Sequence, residues 1–76
     1  MVTNGYIQAK LNNKQDLDDF IFLYEGSTGG EPMSIDPDSL FIEINVFSYG
    51  DREVFKEFLR ERNAEILADE IDDGDN

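Results

Sequence analysis

The chain has no cysteine, no histidine and no tryptophan among its 76 residues, and only six lysines and arginines. Without cysteine there is no disulfide bond, thiolate nucleophile or zinc–thiolate site, and without histidine there is no imidazole base or metal ligand. No apolar run approaches the roughly 18 residues of a membrane span. Residues 1–11 lack the basic segment and apolar core of a signal peptide. We therefore expect a cytoplasmic protein with no cofactor and no metal.

Acidic residues dominate what is present. Asp and Glu number 18, so the formal net charge is −12. Half of it, −6, lies in residues 65–76, which hold six acidic residues and no basic one. No apolar residue follows Ile71, so this end offers little to bury. We predict one domain over residues 1–67 and an acidic, disordered tail over residues 68–76.

Alternating hydropathy indicates strands in two places. In residues 6–11 (YIQAKL) and in residues 40–47 (LFIEINVF), every second side chain is apolar, which is the period of a strand buried on one face. A short extended piece is expected at residues 33–35, followed by a turn at Asp36-Pro37-Asp38, because the residue before proline avoids the helical region. The glycine-rich residues 26–32 are typical of a loop.

Residues 14–24 (KQDLDDFIFLY) allow two interpretations. As a helix, they place several apolar residues on one stripe, follow a possible asparagine N-cap, and carry aspartates near the positive end of the helix dipole. As a strand, FIFLY is a run of high β-propensity. We favour the helix because of the cap and the acidic beginning.

Residues 52–67 are predicted to form a second helix, capped by Ser48 or Asp51. At 100° per residue its apolar side chains fall in one arc of about 140°. They are Val54, Phe55, Phe58, Leu59 and Ile66. The resulting fold class is α+β: a small single-layer antiparallel or mixed sheet with helices on one face, in the order β-α-(β)-β-α. If residues 14–24 were a strand, the fold would be a β-meander covered by one helix.

Charged residues form two rows on the second predicted helix. One row is acidic and recurs every four residues: Glu53, Glu57, Glu61 and Glu65. A basic row beside it consists of Arg52, Lys56 and Arg60. These rows are typical of a solvated face with internal ion pairs. An acidic row of about 18 Å, at 1.5 Å per residue, would also suit a basic groove on a partner.

Arg62 falls in the middle of the apolar arc. Two interpretations are open. Its methylene stem covers the edge of the core, or the residue is an anchor in an interface, where arginine is enriched.

No catalytic or ligand motif is complete. No carboxylate pair stands out as an acid and base, and GSTGG (residues 26–30) lacks the lysine of a phosphate-binding loop. Acids outnumber bases three to one, which disfavours direct binding to nucleic acid or to an anionic membrane. We therefore expect a protein that is not an enzyme.

The charge instead favours a basic protein surface as the partner, in particular that of a nucleic-acid-binding enzyme, where carboxylates would lie in place of phosphates. Besides the acidic row and Arg62, the candidate partner-binding residues include a second acidic patch: Asp16, Asp18 and Asp19. In composition only, the chain resembles the DNA-mimic inhibitors encoded by phages, among them anti-restriction and anti-CRISPR proteins, and the acidic immunity proteins that neutralise basic nuclease toxins. This resemblance implies an inhibitor or accessory protein and assigns no residue.

An alternative interpretation is a small subunit or adaptor of a larger assembly. It would bind through aromatic side chains, with the acidity serving only solubility. The residues of that site would be Phe41, Phe47 and Tyr49.

Overall fold

The structure, a computed structural model, describes residues 4–72 of the chain. An antiparallel sheet with the strand order β2-β3-β1-β4 carries the helices on one face. The predicted α+β class and the predicted order of elements are confirmed, and a further strand follows the second helix. The elements in chain order are β1 (Asn4–Lys10), α1 (Lys14–Thr28), β2 (Ser34–Asp36), β3 (Phe41–Val46), α2 (Tyr49–Glu61) and β4 (Glu65–Asp72).

Helix α1 settles the ambiguity of residues 14–24 in favour of the helix. The Asn13 side chain caps it by accepting a hydrogen bond from the backbone N–H of Asp16 at 2.8 Å. The helix continues past Gly26, where a loop was predicted, and ends where Gly29 adopts the left-handed conformation with φ of 73°. The aromatic run is helical because Phe20 and Tyr24 are buried one turn apart, whereas Phe22 is 78% exposed.

One hydrophobic core lies between the sheet and the two helices. Alternate residues of β1 and β3 face it, as their hydropathy predicts. The ring centroids of Phe20 in α1 and Phe55 in α2 are 5.9 Å apart in an edge-to-face arrangement, which ties the helices together. The buried residues are Ile7, Ala9, Leu11, Leu17, Phe20, Tyr24, Ile42, Ile44, Val46, Phe55 and Leu59.

The turn between β2 and β3 forms as predicted. The backbone N–H of Asp38 donates to the Asp36 side chain at 3.1 Å, which is the local bond that favours aspartate in turns. Strand β2 is one residue later than expected. It pairs only with β3 and forms one edge of the sheet.

Both predicted bounds of the second helix, residues 52 and 67, are wrong, because α2 begins at Tyr49, directly after its cap Ser48, and ends at Glu61. Asn63 has a positive φ of 56°, and the backbone N–H groups of Asn63 and Ala64 bond back to the carbonyls of Arg60 and Leu59, at 3.1 and 2.9 Å. These two bonds form a Schellman motif, in which asparagine is tolerated at the left-handed position. The helix therefore stops a turn and a half before its hydropathy pattern does.

The predicted domain boundary at residue 67 is also wrong. Strand β4 crosses it and pairs with β1 from Lys10↔Glu65 to Asn4↔Asp72. Residues 68–72 are thus a sheet strand and not a disordered tail, while residues 73–76 of that predicted tail lie outside the described residues. Pairing with β1 and burial of part of Ile66 and Ile71 against the core hold this acidic segment in the sheet.

A β-bulge in β4 sets which of its side chains face the helices. Ala9 pairs with Ile66 but Gln8 pairs with Ala68, so Leu67 is the additional residue. A bulge of one residue reverses the alternation beyond it. Asp69, opposite the buried Ile7, therefore lies on the same side of the sheet as the helices.

Candidate functional site

Helix α2 presents one face to the core and another to solvent. Its N-cap is Ser48, whose hydroxyl oxygen accepts a hydrogen bond from the backbone N–H of Asp51 at 3.1 Å. Phe55 and Leu59 are fully buried against the sheet. This anchoring directs the other side of the helix, with its acidic residues, away from the core.

The acidic row on α2 consists of three residues, not four. Glu53, Glu57 and Glu61 are exposed and follow one another at one-turn intervals, so the row rises about 12 Å at 1.5 Å per residue. Glu65 is not part of it. That residue lies in β4, paired with Lys10, because the chain leaves the helix at residue 62.

The acidic row borders an apolar groove between the two helices. Leu23 from α1 and Val54 and Phe58 from α2 line it together with the three glutamates, and its volume is about 510 Å³. Val54 is 48% exposed although it falls on the predicted apolar arc. The groove is open and shallow; Leu23 and Phe58 are partly buried against the core, and Val54 is the most exposed of its three apolar residues. We call the six residues the α1–α2 groove.

Nearby cations are distributed unevenly along the acidic row. Glu53 lies 3.2 Å from Arg52 and 3.9 Å from Arg60, and Glu61 lies 3.8 Å from Arg62. Among the described residues, no cationic group lies within 4 Å of Glu57. Glu57, at the centre of the row, is thus the one of the three carboxylates without a close cation in the described part of the chain.

The basic row does not neutralise the acidic one in the way its spacing predicts. The ion pairs expected one turn apart on this helix, Glu53–Lys56 and Glu57–Arg60, do not form. Lys56 instead contacts Asp69 of β4 at 2.7 Å, and Arg52 also binds Asp69. The side chains of these three residues are each about one-fifth exposed. Arg52 and Lys56 thus attach β4 to α2, whereas Arg60 lies beside Glu53, and the acidic row remains directed towards solvent.

The pKa of the Asp69 carboxyl group is lowered by its surroundings. Partial burial alone would raise the pKa of its carboxyl group, but hydrogen bonds from Lys56 and Arg52 and the charges of these residues outweigh that effect. The net result is a pKa below the ordinary value of 3.8. The sequence did not indicate this ion cluster, because Asp69 lay in a segment predicted to be disordered.

Arg62 covers an aromatic ring beside the groove. Its guanidinium carbon lies 3.7 Å from the centroid of the Phe58 ring, a cation–π contact, and its Nε lies 3.7 Å from Asp16. Asn12 donates hydrogen bonds to the Arg62 and Asn63 carbonyls at 2.9 and 3.0 Å. Arg62 therefore lies at the edge of the core, as the first interpretation placed it, but the group that covers the ring is the guanidinium and not the methylene stem. Its role in partner binding remains a prediction.

The second acidic patch is engaged locally. Asp16 is near Arg62, Asp18 is bonded to Lys14 at 3.1 Å, and Asp19 accepts a hydrogen bond from Gln15 at 2.9 Å. These contacts lie on or near the first turns of α1, and each carboxylate of the patch has a local partner. The role predicted for Asp16, Asp18 and Asp19 in partner binding remains a prediction.

The aromatic residues of the alternative site are not all close together. Phe41 begins β3 and Phe47 follows its end, so they are about 20 Å apart along the strand at 3.4 Å per residue. Phe47 is 53% exposed and Tyr49, in the first turn of α2, is 50% exposed. Adaptor binding through this face remains a prediction, restricted to the Phe47–Tyr49 end.

The uncovered sheet face carries polar contacts between strands. The Tyr6 hydroxyl donates to the Glu70 carboxylate at 3.0 Å, and Gln8 donates to Glu43 at 3.2 Å. The hydrogen bond to Glu70 and the charge of that residue raise the pKa of Tyr6 above its ordinary value of 10.0. These cross-strand pairs are typical of a solvated face.

No group of three or more acidic residues in the described part of the chain is arranged to hold a metal ion. No helix of residues 4–72 is long and apolar enough to cross a bilayer. No protein-family model, no curated protein and no solved structure matches this chain. Its own side chains therefore provide the basis for inferring a function.

Proposed function

We propose that this chain is a non-enzymatic, acidic protein-interaction module that uses the α1–α2 groove to bind a basic surface of a nucleic-acid-handling protein, as an inhibitor or accessory factor. The observation that carries the proposal is the exposed row of Glu53, Glu57 and Glu61 beside the half-exposed Val54 and the partly buried Leu23 and Phe58. Its central carboxylate has no cation within 4 Å among the described residues.

Two physical considerations support this choice. A net charge of −12 on a chain of 76 residues speeds encounter with cationic surfaces and disfavours direct contact with phosphate. The row also places neighbouring carboxylates one helical turn apart, about 6 Å along the axis. A surface that normally binds successive phosphates has cations available for such a row, and it would exclude nucleic acid while the row is bound.

The test compares two double variants with the same net charge. Glu57→Lys with Glu61→Lys reverses the row, and Glu31→Lys with Asp38→Lys reverses two exposed acids outside it. Each immobilised protein would be used to capture basic proteins from lysate at low and at high salt, followed by measurement of affinity for the purified partner. Duplex DNA or RNA is then added as competitor.

We expect the row variant to bind the partner more than tenfold more weakly, about 1.4 kcal/mol or more, and the remote variant to bind nearly as well as the original chain. Nucleic acid should displace the partner, since both would occupy one cationic surface. Equal losses in the two variants, or a partner that nucleic acid does not displace, would reject the proposal. The aromatic interpretation predicts instead that Phe47→Ser weakens binding most and that salt has little effect.

A further inference from the structure

The α1–α2 groove combines an apolar floor with acceptor-only polar groups. Leu23, Val54 and Phe58 contribute the floor, and the remaining lining side chains are glutamates. An ionised carboxylate accepts hydrogen bonds but donates none. The groove therefore offers its occupant apolar contact and negative charge. The six lining side chains offer no hydrogen-bond donor, and the arginines that contact them lie on Glu53, on Glu61 and over the Phe58 ring.

This donor deficit discriminates between possible occupants. An extended segment lying on the groove would bring backbone carbonyls to a floor that has no donor for them, and buried carbonyls without partners are costly. A helix satisfies its backbone groups internally and needs only side-chain contacts. Its ridge of side chains also fits the depression between two packed helices.

The charge pattern specifies the side chains of that helix. The carboxylates of Glu53, Glu57 and Glu61 rise about 6 Å per step along α2. Lysines or arginines four residues apart on a helix lying alongside have the same rise. Apolar side chains on the adjacent stripe of that helix would contact Val54, whose exposed fraction is 48%, and Phe58.

From these observations we infer that the α1–α2 groove binds an amphipathic, basic α-helix of the partner protein, with its apolar stripe on Leu23, Val54 and Phe58 and its cations along the glutamate row. The inference rests on the proposed function and deepens it, because it names the element of the basic partner that is recognised. It corresponds to helix-in-groove recognition, with apolar anchors at i, i+3 or i+4, and i+7.

The probe is a pair of synthetic peptides of about 16 residues with identical lysine, leucine and alanine content. In one, the leucines follow helical spacing, and in the other the same residues alternate with period two. Binding of both to the full chain is measured by calorimetry, and circular dichroism records whether the first peptide gains helix on binding.

The substitution Val54→Asp distinguishes binding in the apolar groove from electrostatic attraction alone. This substitution removes an apolar floor residue while adding a negative charge, so charge alone predicts tighter binding of a basic peptide and groove docking predicts weaker binding. Met33→Asp is the matched control, because Met33 is 55% exposed, precedes β2 and does not line the groove. A second pair is Glu57→Gln with Glu61→Gln against Glu31→Gln with Asp38→Asn. Thermal unfolding verifies that each variant is folded.

We expect the helically patterned peptide to bind at least tenfold more tightly than the alternating one and to gain helix. Val54→Asp should weaken it about tenfold, and Met33→Asp should not. Equal or tighter binding of the alternating peptide, or tighter binding by Val54→Asp, would overturn the helix inference while leaving the acidic row as the binding surface. Binding that Glu57→Gln with Glu61→Gln does not weaken relative to its control would overturn both the inference and the proposed function.

Discussion

Asp69 of β4 accepts two parallel hydrogen bonds from the guanidinium group of Arg52 in α2, from Nε at 3.0 Å and from Nη2 at 2.9 Å. Bidentate arginine–carboxylate pairs are among the stronger ionic contacts in proteins. Lys56 adds a third contact to the same carboxylate at 2.7 Å. These contacts join the last described strand to the helix that carries the α1–α2 groove.

The first prediction concerns the stability contributed by Asp69. Asp69→Asn should lower the free energy of unfolding at neutral pH by about 1–3 kcal/mol, because two partly buried cations lose their counter-ion. The pKa of Asp69 is lowered in the folded protein, so its contribution is present above the ordinary value of 3.8 and is lost as the pH falls through the lower folded value.

Urea unfolding of the two proteins between about pH 7 and pH 2 measures this difference. The difference in the free energy of unfolding between wild type and Asp69→Asn should be constant near neutral pH and should disappear in acid. Asp38→Asn, an exposed turn residue, serves as the control and should show only a small gap. A gap that widens in acid would contradict the assigned cause.

The second prediction concerns where the chain can be shortened. A chain ending after Asp72 keeps all of β4, whereas one ending after Ala68 loses Asp69 and Ile71, which face the helices. We expect the first to unfold cooperatively near the temperature of the full chain and the second to be strongly destabilised. Thermal unfolding followed by circular dichroism would show this, and equal stability of the two truncated chains would mean that β4 is dispensable.

The third prediction concerns two glycines with opposite surroundings. A Cβ on Gly5 would overlap the Glu70 carbonyl oxygen and lie 2.7 Å from Ile71 Cα, so Gly5→Ala must separate β1 from β4. We expect a loss of about 1–3 kcal/mol. Gly26→Ala adds a methyl group in open space within α1 and should raise stability by about 0.5–1 kcal/mol. Paired urea titrations test both signs, and a neutral Gly5→Ala would refute the close approach.

The fourth prediction is that the acidic row reduces stability. Glu57 has like charges one turn away on both sides and no cation within 4 Å in residues 4–72, so Glu57→Gln should raise stability by about 0.2–0.5 kcal/mol for each repulsion removed. Glu53→Gln also relieves a repulsion but loses its contacts with Arg52 and Arg60, so it should gain less. Thermal unfolding at low salt is the measurement. A larger gain for Glu53→Gln would contradict this distribution of charge.

Features of the fold that depend on residues close together in the sequence were predictable. Strand β3 follows from the alternation of its residues, and the beginning of α1 follows from its asparagine cap. For α2, Ser48 was one of two candidate caps, and the helix begins three residues earlier than predicted. Such signals are local, because capping and alternation involve neighbours in sequence. The acidic row was visible for the same reason, since residues four apart on a helix share a face.

The end of the chain was not predictable in this way. Residues 65–67 continue the helical hydropathy pattern, but the Schellman motif at Asn63 ends the helix before them. Residues 68–72 look too acidic to fold. They nevertheless form a strand, because β1 supplies an edge for pairing and because Arg52 and Lys56 neutralise Asp69. These contacts join residues 13 or more positions apart in the sequence.

The sequence by itself determined the α+β class, the polar residues available as helix caps and the alignment of Glu53, Glu57 and Glu61, since these depend on composition and on spacing within single elements. Only the tertiary structure decided that residues 65–72 of the acidic segment form a strand of the sheet and that Arg52 and Lys56 bind Asp69 within it. It also decided that Leu23 joins Val54 and Phe58 beside the glutamates. The physical reason is that ion pairing and burial depend on which elements become neighbours, and sheet pairing brings together segments far apart in the chain.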